Sequence, residues 1–369
     1  MSGRGEYRFL TATHEDEPEI RALVGSLAMP GTVSIRFERE PDYFLGTTVQ
    51  GDPCDVLIAR HGPSDELAAV MVRAERRVFL DGQEARVAYI GQIRIAPRFQ
   101  GRWLMQRAQL AVAQLHDRSL PYLGVIASDN PIALGTITGR RPPGSPNVTR
   151  VARLHSLAFV LHDRLSRSGS TLPVAWGDSI HLDEIMAFLR TAGSRRQFFP
   201  VIDREQLTDG RTYRGLRLED LQVVRRDGEI AGVLGSWDQS GFKQEMVAAY
   251  SPRLRRLRPG YDLLARVLGG SRLPREGEPV RTTFGCLHCQ SDDDPDVLKA
   301  LLKGARERAR RQGAAFFMLG FDERDPQLEA LGRPLAVTYR SDVFLGSFAG
   351  DDPGGVLDGR PAYIEIGTL

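Results

Sequence analysis

Cysteine is scarce in this chain of 369 residues: Cys54, Cys286 and Cys289 are all it has. Three thiols cannot build a disulfide framework. No apolar run reaches the ~20 residues that cross a bilayer, and Met1-Ser2-Gly3-Arg4-Gly5-Glu6-Tyr7 has no apolar signal core. We therefore expect a cytoplasmic protein with no membrane partner. An excess of charge is missing too: 49 Lys and Arg face 47 Asp and Glu, for a net charge of +2. No bulk field argues for nucleic acid. The seven His are scattered and none stands by a nucleophile elbow, so no Ser-His-Asp triad is read. Cys286-Leu287-His288-Cys289 lacks the second ligand pair of a structural zinc site. Two strand residues three apart face opposite sides, so no metal is expected there. Asp292-Asp293-Asp294 lacks the glycine and closing glutamate of a calcium loop. Arg253-Leu254-Arg255-Arg256-Leu257-Arg258 reads as a solvated helix face.

What is present is ordinary globular material, 41% hydrophobic and 26% charged, long enough for two domains. A diverged repeat runs through it. Arg8–Ala12 then Glu19–Val24 reads as strand then helix, and so does Leu172–Trp176 then Glu184–Leu189. A β-arm follows in each half: Cys54–Ala59 with Leu67–Val72, and Leu221–Arg225 with Ile230–Leu234 across Asp227-Gly228, a hairpin turn. Val87–Gly91 lines up with Arg281–Gly285. Each leads through a turn to a helix, Trp103–Leu115 or Val297–Arg311. An apolar strand comes next, Tyr122–Ala127 or Ala315–Gly320, ending at Asn130-Pro131 or Asp325-Pro326. Ala336–Tyr339, Asp342–Leu345 and Ala362–Ile366 read as final strands. The division expected is 1–165 and 172–369, joined by a linker near Ser166–Ser170. An insertion over roughly 239–278 in the second half covers its own site or reaches across to the first.

The stretch Ile93-Arg94-Ile95-Ala96-Pro97-Arg98-Phe99-Gln100-Gly101-Arg102-Trp103-Leu104 is a strand, a turn and a helix start. A helix N-terminus offers free N–H groups and a positive dipole end, a seat for phosphate. The stretch resembles the cofactor-binding motif of the GNAT N-acetyltransferase superfamily, in Ile93, Ile95, Pro97, Gln100 and Gly101. Trp103 and Met105 stand where that family has small residues. The order of elements in both halves resembles the family as well. The fold expected is thus α/β with a mixed sheet, two tandem GNAT-like acyltransferase domains.

The resemblance implies N-acyl transfer, most simply of acetyl, from acetyl-CoA or another acyl-CoA to a primary amine on a small molecule or peptide. It places pantetheine against the backbone of Ile93, Arg94 and Ile95. Pyrophosphate would meet the amides around Gln100 to Met105, which include Gly101, Arg102 and Trp103, with Arg98 and Arg102 adding charge. Asn130 matches the family's Asn near the thioester arm, while Ile137 replaces a Tyr that often follows it. Tyr89 and Asp129 are the candidate catalytic residues. Gln92, Glu38, Glu40 and Asp42 lie on the same strand or in the acceptor-side loop. In the second half, Asp292–Asp294 would repel pyrophosphate. Two rival readings follow: a catalytically inactive GNAT-like ligand- or protein-binding module, and an acyl or aminoacyl transferase with a donor other than coenzyme A.

Overall fold

The computed structural model describes residues 7–29, 31, 33–101, 104–115, 117, 119–139, 145–161, 172–268, 272–348, 354–355 and 357–369. The first half opens with β1 (Tyr7–Thr11), α1 (Glu17–Ser26), β2 (Ala28–Met29), β3 (Val33–Glu38) and α2 (Tyr43–Thr47). The meander β4 (Cys54–His61), β5 (Leu67–Leu80) and β6 (Gln83–Ile95) follows, then α3 (Leu104–Leu115), β7 (Tyr122–Ala127), α4 (Pro131–Thr138) and β8 (Asn147–Val160). The second half repeats the theme. It starts with β9 (Val174–Trp176), α5 (Leu182–Gly193), α6 (Arg204–Thr208), β10 (Leu221–Arg226) and β11 (Glu229–Asp238). Then come β12 (Gln244–Tyr250), α7 (Pro252–Leu268), β13 (Pro279–Val280) and β14 (Thr282–Gln290). It closes with α8 (Pro295–Arg311), β15 (Phe316–Asp322), α9 (Pro326–Ala330) and β16 (Ala336–Ser347).

Local chemistry accounts for many boundaries. Asp227-Gly228 makes the expected hairpin turn, and Asp81-Gly82 makes the same turn between β5 and β6; all four residues have φ between 51 and 87°, as a two-residue hairpin loop demands. Asp294 and Asp325 cap α8 and α9, each accepting a backbone N–H and followed by proline, the favoured start of a helix. On α3, Leu104, Ala108 and Val112 are buried at a spacing of four, the stripe that holds a helix on a sheet.

One twelve-stranded mixed sheet runs through the whole molecule in the order β1-β4-β5-β6-β7-β16-β8-β15-β14-β11-β10-β9. At its centre the halves exchange strands. The second half's β16 pairs with β7 of the first, and the first half's β8 pairs with β15 of the second. The two traded strands also pair with each other over twelve positions. The tail thus supplies a single strand, β16, where two were expected from Ala336–Tyr339 and Asp342–Leu345. Ala362–Ile366 is not a ladder strand: Ala362 bridges Gln197, and the chain ends in a 3₁₀ turn, Ile366–Thr368.

The insertion crosses over. Its strand β12 pairs with β3 of the first half in a second, four-stranded sheet, β13-β12-β3-β2. The helix expected at Tyr261–Leu268 begins earlier, at Pro252.

Candidate functional site

β6 and β7 run parallel for two register pairs, Ala88↔Tyr122 and Tyr89↔Leu123, and then part. β6 therefore continues to Ile95 with its β7-facing edge released, and a fork opens between the two strands. A bulge lies on that stretch. The β5 register skips Gln92 and Ile93, and Gln92 has φ of 53°. A bulge of this kind re-aims side chains and frees amides from the ladder. Gly91 beside it leaves room for Tyr89, whose hydroxyl and ring a side chain there would overlap.

The pantetheine-assigned residues Ile93, Arg94 and Ile95 all lie on this stretch, half-buried. The Ile93 carbonyl accepts from Arg94 Nη1 at 3.0 Å, and the Ile95 carbonyl from Gln100 Nε2 at 3.3 Å. Arg94 lies over the Phe37 ring of β3. The turn continues through the buried Phe99 to Gly101, which has φ of +74° and open space where a side chain would be. Arg98 is exposed, pairs with Glu66 at 2.6 Å and lies over Phe99. Arg102 and Trp103 lie outside the described residues. No acidic residue stands in the first turn of α3. Met105 lines an apolar crevice of only about 20 Å³ between α3 and the sheet, too small for any cofactor.

Asn130 is exposed, and its side chain caps α4 by accepting the Ala133 N–H at 3.0 Å. Asp129 beside it is exposed at the end of β7. Tyr89 is at the opposite extreme: it is buried under the Arg76 guanidinium, 4.4 Å from the ring centre, and burial pushes its phenol up. Such a phenol keeps its proton at neutral pH and is unsuited to the role of base. The three acceptor-side carboxylates have structural partners: Glu38 pairs with Arg36, Glu40 with Arg21, and Asp42 caps α2.

Beside the bulge, crossed by β3 and β12, is a buried charged cluster that sequence reasoning missed. Arg39 donates to Gln92 Oε1 at 3.4 Å; burial lowers its pKa to about 10. Tyr43 is fully enclosed, its hydroxyl has no partner among the described residues, and burial takes it up to about 12. Lys243, on the insertion, donates to the Gly367 and Leu369 carbonyls at 3.2 and 2.9 Å. Burial, with Arg39 adding repulsion, brings its pKa down to about 7. Glu245 accepts from Thr282 at 3.0 Å and is raised by burial. These residues come from the end of β3, from α2, and from β12 and the residue before it, which no local spacing connects.

The second half has the same fork and bulge, with different contents. β14 and β15 pair from Thr282↔Phe316 to Phe284↔Met318, and Leu287 has φ of 52°. Aligning the bulges matches Gln92 with Leu287, one residue away from the expected pairing of Gly91 with Gly285. The bulge also overturns the expectation that Cys286 and Cys289 face opposite sides. One extra residue between them puts both thiols in the same core cluster, while His288 turns the other way, edge-on to Phe321. The three side chains do not converge on a metal.

Here the bulge amides are occupied. Leu287 N–H donates to Glu365 Oε2 at 3.3 Å, and His288 N–H donates to Tyr363 Oη at 3.2 Å. Tyr363 and Tyr213 both donate to the Glu365 carboxylate, at 2.8 and 3.4 Å. Burial raises that carboxyl to about 7. The turn Ile366–Thr368 packs against both β14 and β15, inside the fork. At the turn before α8, Asp293 binds Arg196 and Gln327, and Asp294 caps the helix and pairs with Arg226.

No protein-family profile matches the chain, and no curated protein matches it in sequence. Solved structures match its shape. Saccharomyces cerevisiae N-myristoyltransferase with bound myristoyl-CoA aligns at a TM-score of 0.58 and 10% identity, over 94% of this chain and 83% of that one. A GCN5-related N-acetyltransferase from Sphaerobacter thermophilus aligns at 0.52 and 14% identity, over 98% of both. A GCN5-related glucosamine N-acetyltransferase region of a fungal multi-domain β-N-acetylglucosaminidase aligns at 0.56 and 11% identity, over 93% of this chain and 38% of that one. At such identities the likeness is one of architecture. The chain has a tandem GNAT fold.

Proposed function

We propose that the first half binds an acyl-CoA and transfers its acyl group to a primary amine. The observation that carries this reading is the open fork between β6 and β7, which ends in a bulge and leads to a helix start free of acidic side chains. The edge of β6 can hold the pantetheine amides, and the α3 N-terminus favours pyrophosphate. The bulge amides would oppose the charge that develops on the thioester oxygen. The neutral amine nitrogen attacks that carbonyl carbon, the C–S bond breaks, and coenzyme A leaves as a thiolate, the proton that the nitrogen sheds in becoming an amide balancing the one that the thiolate takes up. The attacking ammonium must lose a proton first. Lys243, which burial brings to about 7 and whose charged neighbour Arg39 bonds Gln92 on the bulge, is the acceptor in this reading. Tyr89, still protonated, suits the donor's role. The filled second half is a structural partner that carries Lys243 to the site.

Calorimetry with acetyl-CoA and with myristoyl-CoA tests the proposal. Dissociation constants of about micromolar that are lost in Gly101→Glu support it, and the two donors separate short from long acyl chains. Failure of the wild type to bind either would turn the reading to an inactive GNAT-like module or to a transferase with another donor. For the base, kcat/KM should rise with pH through about 7 in the wild type and fall sharply in Lys243→Met. A Lys243→Met enzyme with an unchanged pH profile would remove Lys243 from the mechanism.

A further inference from the structure

Helix α7 stands out because it covers so little of itself. It has 17 residues, and among its described side chains Ala265 alone is buried. Its inner side is tied to the insertion loop. Arg258 lies over the Tyr250 ring and donates to the Leu273 carbonyl, and Asp262 accepts the Leu273 N–H at 2.9 Å. Its outer side carries Leu257, Leu263 and Val267, exposed at 68, 63 and 58%. Plotted at 100° per residue, these three share one arc with Arg253 and Arg256, and Arg266 flanks it. None of these three arginines has an ion pair among the described residues, and no acidic residue falls on the arc. The helix's one acidic residue, Asp262, faces inward beside Arg258.

A helix of this length gains little from propensity and is normally held by burying an apolar face. Here Leu254, Tyr261 and Ala265 make only a narrow, mostly half-buried inner strip, and a second apolar face points outward, laced with guanidinium groups that have no ion pair among the described residues. Solvated basic helices seldom display three large aliphatics, and nucleic-acid surfaces have no use for them. Both features suit the boundary of an anionic bilayer. There, aliphatic side chains enter below the headgroups while arginine stems extend upward to the phosphates. We propose that the outer face of α7 docks the protein on an anionic lipid surface. The helix lies in the plane of the membrane and does not cross it, so the absence of any helix able to span a bilayer among the described residues is no obstacle. The proposal is independent of the acyl-transfer reading.

The test is co-sedimentation of the full chain with phosphatidylcholine vesicles that contain about one third phosphatidylglycerol. Pure phosphatidylcholine vesicles and raised salt serve as controls. The wild type should sediment with the anionic vesicles only, and less so in high salt. Both L257D/L263D/V267D and R253E/R256E/R266E should bind at least about tenfold more weakly, with unchanged far-UV circular dichroism. The single variant L257D serves if the triple variant fails to fold. The proposal is overturned if the wild type stays in the supernatant, or if the folded variants sediment as it does. It is equally overturned if light scattering finds a dimer that L257D dissolves, since the face would then belong to a second copy. Tighter binding to RNA that ignores the leucine changes would also overturn it.

Discussion

The two strand–turn–helix units share a backbone and differ in what occupies it. In the first half β6 and β7 part beyond Tyr89, the bulge at Gln92 follows, and the turn beyond carries Arg98 and a bare Gly101. In the second half the bulge at Leu287 is bonded to Glu365 and Tyr363, and aspartates fill the turn. Strand splay and bulge are properties of main-chain register, and they survive when the side chains around them change. An anion seat is a matter of side-chain charge, and three aspartates reverse it. In the second half the chain's own tail bonds the amides that the proposed coenzyme would meet in the first.

The comparison can be broken at several points. The largest effect should come from Arg196→Met. It leaves the buried Asp325 and the half-buried Asp293 without their cation and should cost about 4 kcal/mol in urea unfolding. Little loss would mean that the acidic turn needs no internal counter-charge. Glu365→Gln comes next, through pH. The folded carboxyl titrates near 7 and an ordinary glutamate near 4.5. Between those values the folded state holds a proton that the unfolded chain has released, so wild-type stability falls as pH rises across the window, by about 3 kcal/mol in all. The variant should be flat there and should melt higher than wild type at pH 8. Gly101→Glu should weaken coenzyme A binding about a hundredfold, because it places a carboxylate at the α3 N-terminus and a side chain in left-handed backbone. The fold should persist, since nothing lies within 4 Å of the added carbon. Tyr363→Phe removes one neutral donor from Glu365 and should cost about 1 kcal/mol in the same urea assay.

The sequence announces whatever depends on neighbours in the chain. Asp227-Gly228, the Asp-Pro starts of α8 and α9 and the apolar stripe of α3 all act within a few residues, and each element stands within a few residues of where it is read. The bulges were invisible because no residue type requires them: Gln92 and Leu287 both take positive φ without being glycine. Each bulge adds one residue, which moves the repeat alignment by one and puts Cys289 on the same side as Cys286. The cluster of Arg39, Tyr43, Lys243 and Glu245 was equally hidden. It is assembled by the pairing of β3 with β12, strands about 200 residues apart. The insertion's reach toward the first half was foreseen as one of two options, but the side chains it delivers were not.

The traded strands at the centre of the sheet set a schedule for biosynthesis. β7 leaves the ribosome with one edge unpaired, and its partner β16 follows about 200 residues later. At ordinary translation speeds that is a wait of roughly 10–40 s. Over this interval the nascent first half presents an apolar strand edge, the kind of template that recruits other chains. The candidate site is thus finished last, when the C-terminal strands close the sheet and the tail settles into the second fork. A ribosome stalled before residue 336 would release a chain with the whole signature motif and no complete sheet to carry it.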